Sequence, residues 1–312
     1  MRDKVVLVTR KTALEELIER FGTHAQARFL LKSRGDSIDA AEAAHERYSQ
    51  ALRTVREAIP RGVRLHPIER TFLPNFLFGP ADLVVTLGPD GLIVNTAKYL
   101  ADQPLLAINP DPQRMDGVLI PFQDSAASIV LPQAIEDRLP SERITMAVAR
   151  LDDGQSLHAV NDLFIGQRSH LSARYRIVHG HRDESQSSSG LIVSTGAGSS
   201  GWYRSILAGA AGVAAGVSGH DARWKENYRF SRTADELRFC VREPFTSKVS
   251  SAETVYGRIG PGECLTIVSQ MAAGGVIFSD GIESDFLSFE AGRTATISVA
   301  ERKVNLLVNA RR

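Results

Sequence analysis

Three short stretches of this chain combine residue types that could handle a phosphorylated ligand. The first is Leu87-Gly88-Pro89-Asp90-Gly91, which follows the apolar run Ala81 to Leu87 and precedes a helical pattern from about Leu92 to Ala101. The carboxyl edge of an open α/β sheet is where ligands bind, and a helix N-terminus there offers unpaired N–H groups to a phosphate. Read alone, Gly-Pro-Asp-Gly is equally an ordinary type I turn.

The second stretch is Ala159 to Ile165, in which Asn161 and Asp162 present an amide beside a carboxylate. That pair suits an adenine edge and a ribose hydroxyl, although both residues are also common in turns. The third, Gly190 to Trp202, runs from the strand-like LIVS through Thr195, Gly196, Ala197, Gly198, Ser199, Ser200 and Gly201 into a helix. Its glycines form a literal GxGxxG. A dinucleotide fingerprint of that kind needs a second strand and an acidic residue about 20 positions on. Asp221 stands at that distance, but the intervening segment is small, glycine-broken and poor in β-branched residues.

Other chemistries find little support. His179 and His181 could share one face of a strand, but no third metal ligand lies nearby in sequence, and no metal site is expected. There is no GxxxxGK[ST], HExxH or GxSxG. Cys240 and Cys264 lie in apolar, strand-like contexts without CxxC spacing and are expected as core thiols.

The elements that must carry these residues fall into two textures. Lys4 to Val8, Val63 to Ile68, Ala81 to Leu87 and Gln103 to Asn109 read as short apolar strands. They are separated by a helix from Ser37 to Ile59, the helix after Gly91, and a third helix capped by Asp124 and running to about Leu139. This alternation predicts an α/β domain with a mostly parallel sheet over residues 1–140. After Pro140 strands and turn signals dominate, including Asp153-Gly154, Gly274-Gly275 and Asp280-Gly281, so residues 141–312 are expected to form a mainly-β domain.

A chain of 312 residues accommodates two such domains. With 37 basic and 36 acidic side chains its net charge is +1, which provides no global field for nucleic acid or an anionic membrane. The opening MRDKVVLVT has no secretory or transit character, and the small-apolar run Ile206 to Val217 is shorter than the ~20 residues of a membrane span. A cytoplasmic protein is expected.

The order and spacing of the three stretches together resemble the NAD kinase family, within the wider group that includes diacylglycerol and sphingosine kinases. Its members carry GGDG after a buried strand, then Asn-Glu or Asn-Asp, then a strand entering a Ser/Thr/Gly loop. The likeness is greatest to the mitochondrial-type NAD kinases of animals. It rests on KVVLVTRKTALEE, on INPDPQRMDGVLIPF, on TGAGSSGW and on LRFCVREPF. The resemblance implies an N-terminal α/β domain and a C-terminal β domain with NAD held between them. It implies transfer of a phosphoryl group from ATP, or from polyphosphate, to the 2′-hydroxyl of the adenosine ribose of NAD. Asp90 would accept the hydroxyl proton and help position Mg²⁺. Gly88 and Gly91 would belong to the phosphate turn, Asn161 and Asp162 would bind adenosine, and Thr195, Ser199 and Ser200 would line the nucleotide cleft. Asn95 occupies a helical position from which the dinucleotide can be reached, and a homodimer or larger assembly is implied.

The chain departs from the family pattern mainly on the donor side. Pro89 replaces the second glycine of GGDG and removes an N–H donor. Leu92 stands where a Thr commonly follows, Ser189 where many members have an acidic residue, and Ala197 where the loop usually has a threonine. Three readings therefore stand: an active kinase of NAD, an NAD-binding sensor or regulatory protein without transfer, and a related kinase of a sugar, nucleoside or lipid hydroxyl.

Overall fold

The computed structural model describes residues 2–115, 117–219 and 228–309. They divide into two compact units, one made of the first 142 residues with the chain from Asn305 onward, the other of Arg143–Val304. Among the described residues no helix is long and apolar enough to cross a membrane.

The first unit contains β1 (Lys4–Thr9), α1 (Ala13–Phe21), α2 (His24–Ser33), α3 (Asp39–Glu57), β2 (Arg64–Glu69), β3 (Leu83–Leu87), α4 (Asp90–Ala97), β4 (Pro104–Asn109), β5 (Phe122–Gln123) and α5 (Ala127–Ile135). Its strands lie in the order β4-β3-β1-β2 and pair in parallel, with β5 added beside the end of β4. The chain's last strand contributes Asn305 and Leu306 opposite Pro104 and Leu105, also in parallel. Both faces of this sheet are covered, which is why its strands are continuous apolar runs rather than alternating ones. Val5, Leu7, Leu83, Val85, Leu106 and Ile108 pack with Ala51 and Val55 of α3 and with Val130 and Leu131 of α5, while Val6, Val8, Val84 and Leu105 point to the opposite face and are equally buried.

Two helices, α1 and α2, lie between the strand expected at Lys4 to Val8 and the helix expected from Ser37. A capping box holds the start of α1: the Glu15 N–H donates to Thr12, and the Thr12 N–H donates to Glu15. The helix expected after Gly91 starts earlier and ends sooner, because Pro89 takes the N-cap with extended backbone and places Asp90 in the first turn. The helix expected from Asp124 is a 3-10 turn followed by α5, whose N-cap is Ala126, and it ends at Ile135 rather than near Leu139.

The second unit contains β6 (Ser141–Leu151), β7 (Ser156–Ala159), β8 (Asp162–Gln167), β9 (Ala173–His179), β10 (Arg182–Ser188), β11 (Leu191–Ser194), α6 (Trp202–Ser218), β12 (Leu237–Val241), β13 (Tyr256–Ile259), β14 (Leu265–Ser269), β15 (Gly275–Ser279), β16 (Ile282–Ser288) and most of β17 (Thr294–Leu307). One sheet runs β10-β9-β14-β17, with β6 and β7 extending it; the other runs β13-β12-β11-β8-β15-β16, antiparallel throughout. Leu163, Ile165, Leu191 and Val193 of the six-stranded sheet meet Tyr175, Ile177, Leu265 and Ile297 of its partner in one core. On the outer face Phe164, Ile192 and Cys240 are covered by Trp202, Tyr203 and Ile206 of α6.

Cys240 is buried as expected, but Cys264 is exposed, since it falls in the turn before β14 rather than in the strand. The literal GxGxxG does not open a dinucleotide-binding βαβ unit. The strand before it, β11, is antiparallel to both of its neighbours, whereas that motif requires a parallel crossover. Asp221 lies outside the described residues.

Candidate functional site

In the first unit the GPDG turn sits at the carboxyl end of β3. Gly88 donates its N–H to the Ile108 carbonyl at 3.2 Å, and a Cβ on Gly88 would lie 2.8 Å from Leu92 Cδ2. Leu92 is thus a core side chain packed under the turn. At the start of α4 the Leu92 N–H donates to the Pro89 carbonyl at 2.9 Å, while the Asp90 and Gly91 N–H groups have no intrahelical acceptor and lie at the positive end of the helix dipole. Asp90 is half-buried there. Its Oδ2 accepts the Val118 N–H and its Oδ1 the Leu119 N–H, each at 2.9 Å. Asn95 lies further along α4, 6% exposed, and its Oδ1 has no hydrogen-bond partner among the described residues. A buried amide oxygen left so is uncommon and points to a water or ligand donor.

Sequence reasoning missed two residues of α3 at this edge. The Tyr48 hydroxyl donates to the Leu87 carbonyl and accepts the Arg10 N–H, both at 3.3 Å, tying the ends of β1 and β3 to α3. Burial pushes the Tyr48 phenol up from its ordinary value. Arg47 pairs through Nε with Asp111 at 2.9 Å, and its Nη2 is buried without an acceptor among the described residues. Both residues lie in a long amphipathic helix whose charged positions, read from sequence, look like solvated surface.

In the second unit Asn161 immediately precedes β8 and Asp162 opens it. The backbone here is held from two sides. Thr195 donates its N–H to the Asn161 carbonyl at 2.9 Å and its hydroxyl to the Val160 carbonyl, and it accepts the Gly198 N–H. Gly198 packs so closely that a Cβ would stand 2.2 Å from the Asn161 carbonyl oxygen. From the other side Asp280 accepts N–H groups from Val160 (3.1 Å), Asn161 (2.7 Å) and Asp162 (3.3 Å). Asp280 and Gly281 form the two-residue turn between β15 and β16, with φ of 56° and 72°. Those values fit a type I′ hairpin, for which Asp-Gly is a preferred pair. The turn is legible in sequence; the use of its carboxylate is not.

This clamp leaves the Asn161 and Asp162 side chains without hydrogen bonds among the described residues. Asp162 is only 8% exposed, and burial, with the neighbouring Asp280 charge second, pushes its carboxyl up to about 7. A group poised there can exchange a proton near neutrality. The Ser199 hydroxyl is buried and donates to the Gly196 carbonyl at 2.7 Å, whereas Ser200 is half-buried and its hydroxyl has no partner among the described residues. Of the loop hydroxyls expected at a ligand, Thr195 and Ser199 therefore shape the turn and Ser200 remains available.

His179 bonds the Arg258 carbonyl at 2.8 Å and meets the Phe239 ring edge-on, and among the described residues no three His, Cys, Asp or Glu side chains gather to hold a metal. A pocket of about 210 Å³ lies on the outer face of the six-stranded sheet, bordered by Phe164, Trp202, Arg242 and Phe278. Phe164 of the second stretch and Trp202 of the third border it, whereas Asn161, Asp162, Thr195, Ser199 and Ser200 are not among the residues that line it.

No protein-family model matches the sequence, and no curated protein matches it. The fold does have solved counterparts. Yeast NADH kinase complexed with NADH superposes with a TM-score of 0.61 over 99% of this chain and 84% of that chain, at 14% identity. An NAD kinase from Archaeoglobus fulgidus in complex with ATP superposes with a TM-score of 0.56 over 98% of this chain and 94% of that one, also at 14% identity. The α/β unit with its parallel sheet and the antiparallel second unit are thus the two-domain fold of these kinases.

Proposed function

We propose that this protein is an NAD kinase-like phosphotransferase. It moves the terminal phosphoryl group of ATP, or of polyphosphate, to the 2′-hydroxyl of the adenosine ribose of NAD and yields NADP. The observation that carries this reading is the Asp90 carboxylate, set at a helix N-terminus beyond a parallel strand and oriented by two N–H bonds that leave a lone pair on each oxygen. Phosphoryl transfer asks little covalent chemistry of a protein; it asks for positioning, charge stabilisation and one proton acceptor. Asp90 takes the proton of the attacking hydroxyl, and the free N–H groups at the start of α4 face the phosphate oxygens. Asn161 reads the adenine edge, and Asp162 accepts from a ribose hydroxyl.

Among the described residues no cluster of side chains could hold Mg²⁺ by itself, so Asp90 would hold it together with triphosphate oxygens, its usual manner of binding. When bound it supplies neutralisation of the charge on those oxygens. In this reading the protein works in the cytoplasm as a homodimer or larger assembly.

A second reading, an NAD-binding protein without transfer, is favoured by Pro89, which withholds an N–H from the phosphate turn, and by Leu92, which is folded into the core. Both readings require NAD at Asn161 and Asp162. Saturating NAD should raise the melting temperature of the wild type. Asn161→Ala should lose most of that protection, and equal protection of both proteins would contradict the adenosine assignment.

A further inference from the structure

A carboxylate in the first turn of a helix has a competing use, since it can fold back onto the unpaired N–H groups of its own turn. Asp90 does not. Its two oxygens are taken by consecutive N–H groups from the chain after β4, and two such bonds fix both the direction and the plane of the carboxylate.

Presenting the Val118 and Leu119 N–H groups together requires a turn, and Gly117 makes it with φ of 62°, closed by the Ile120 N–H on the Gly117 carbonyl at 3.1 Å. A Cβ at Gly117 would stand 3.1 Å from Ile120 Cβ and 3.2 Å from Asn109 Nδ2, so a side chain there is both strained and crowded. Asn109, at the end of β4 and 5% exposed, donates from Nδ2 to the Met115 carbonyl and accepts the Asp111 N–H at Oδ1, both at 2.9 Å. The Asp111 carbonyl accepts the Arg114 and Met115 N–H groups, and its carboxylate is held by Arg47. Buried Leu119, Ile120 and Phe122 anchor the far side.

We propose that the two turns after β4, one held by Asn109 and the other made by Gly117, orient the Asp90 carboxylate toward the acceptor hydroxyl, with Asn109 and Gly117 as positioning residues. The functional half of this statement rests on Asp90 being the proton acceptor; the structural half does not. Neither positioning residue touches the ligand in this account. Both act through the loop, on the rate of transfer rather than on NAD affinity, because the adenosine contacts belong to Asn161 and Asp162.

Two measurements on the full chain test it. Hydrogen exchange should find the Val118 and Leu119 amides protected in the wild type and at least about ten times faster in Asp90→Ala, since their acceptor is gone. Asn109→Ala should lower kcat about 10- to 100-fold while KM for NAD stays within about threefold, the split expected of lost orientation. If Asn109→Ala does not fold, Gly117→Ala is read the same way. Equal exchange in wild type and Asp90→Ala would overturn the proposal, as would full kcat in Asn109→Ala when Asp90→Asn abolishes turnover. Exchange that depends on Asp90 in a protein that makes no NADP would support the orienting loop and count against the kinase reading instead.

Discussion

In the first unit the Asp90 carboxylate is half-buried and receives two backbone N–H bonds, whereas in the second unit the Asp162 carboxylate is buried and receives none from the described residues. Two N–H bonds fix the direction of a carboxylate, and burial without such bonds favours its protonated form, as at Asp162. Around Asp162 the N–H groups are present but turned away: those of Val160, Asn161 and Asp162 itself go to Asp280. One carboxylate is thus oriented by the backbone, and the other is left unpaired by a neighbour that takes its donors. Two acidic residues of similar promise in the sequence are therefore prepared for different tasks, one for a directed proton transfer and the other for a ligand hydroxyl that completes its hydrogen bonding.

The sharpest way to break this contrast is Asp280→Ala. It removes the acceptor of three N–H groups and frees the turn that presents Asn161, so NAD affinity should fall about 10- to 100-fold, with a loss of stability of about 2 kcal/mol or more. Calorimetric titration with NAD reads the first and urea unfolding the second. Unchanged affinity would show that the clamp does not set the Asn161 geometry.

A smaller effect concerns pH. The Asp162 carboxyl is held near 7 in the fold against an ordinary value of 3.8, so the folded protein keeps a proton that the unfolded chain has released. Its contribution to stability is full below about pH 4 and is lost as pH rises through about 7, the decline being at most roughly 1.4 kcal/mol for each pH unit crossed in that window. Urea unfolding across pH 4 to 8 should therefore show a decline in the wild type that Asp162→Asn flattens. The same slope in both proteins would mean that Asp162 is not the titrating group. The smallest change is Pro89→Gly, which restores an N–H to the phosphate turn and should raise kcat/KM for ATP a few-fold while leaving KM for NAD alone. A fall would mean that the rigid N-cap is needed to place Asp90.

Much of this was legible in the residues. Continuous apolar runs such as LVVTL marked the parallel strands because both faces of that sheet are buried, and Asp-Gly at 280 and 281 marked a hairpin because its backbone angles suit few other pairs. The three motifs lie in the elements expected to carry them, although Pro89 moved the start of α4 ahead of the apolar pattern. What stayed hidden is long-range. Asp280 is 118 to 120 residues from the N–H groups it holds, and Val118 and Leu119 present only backbone to Asp90, so no side-chain pattern reports either contact. Arg47 and Tyr48 were masked by their place in a mixed helix, whereas α1, with a capping box and with Leu14, Leu17, Ile18 and Phe21 at helical spacing, was legible in the residues.

The central claim is that Asp90 is the proton acceptor of a phosphoryl transfer to NAD. Its most direct test is an end-point assay for NADP with the purified full chain, Mg²⁺, NAD and either ATP or polyphosphate, with Asp90→Asn alongside. NADP from the wild type, falling about 10²- to 10⁴-fold in the variant, is the predicted result. Equal NADP from both proteins would remove Asp90 from the chemistry, and no NADP with either donor, in a protein that NAD still stabilises, would contradict transfer and leave the NAD-binding reading in its place.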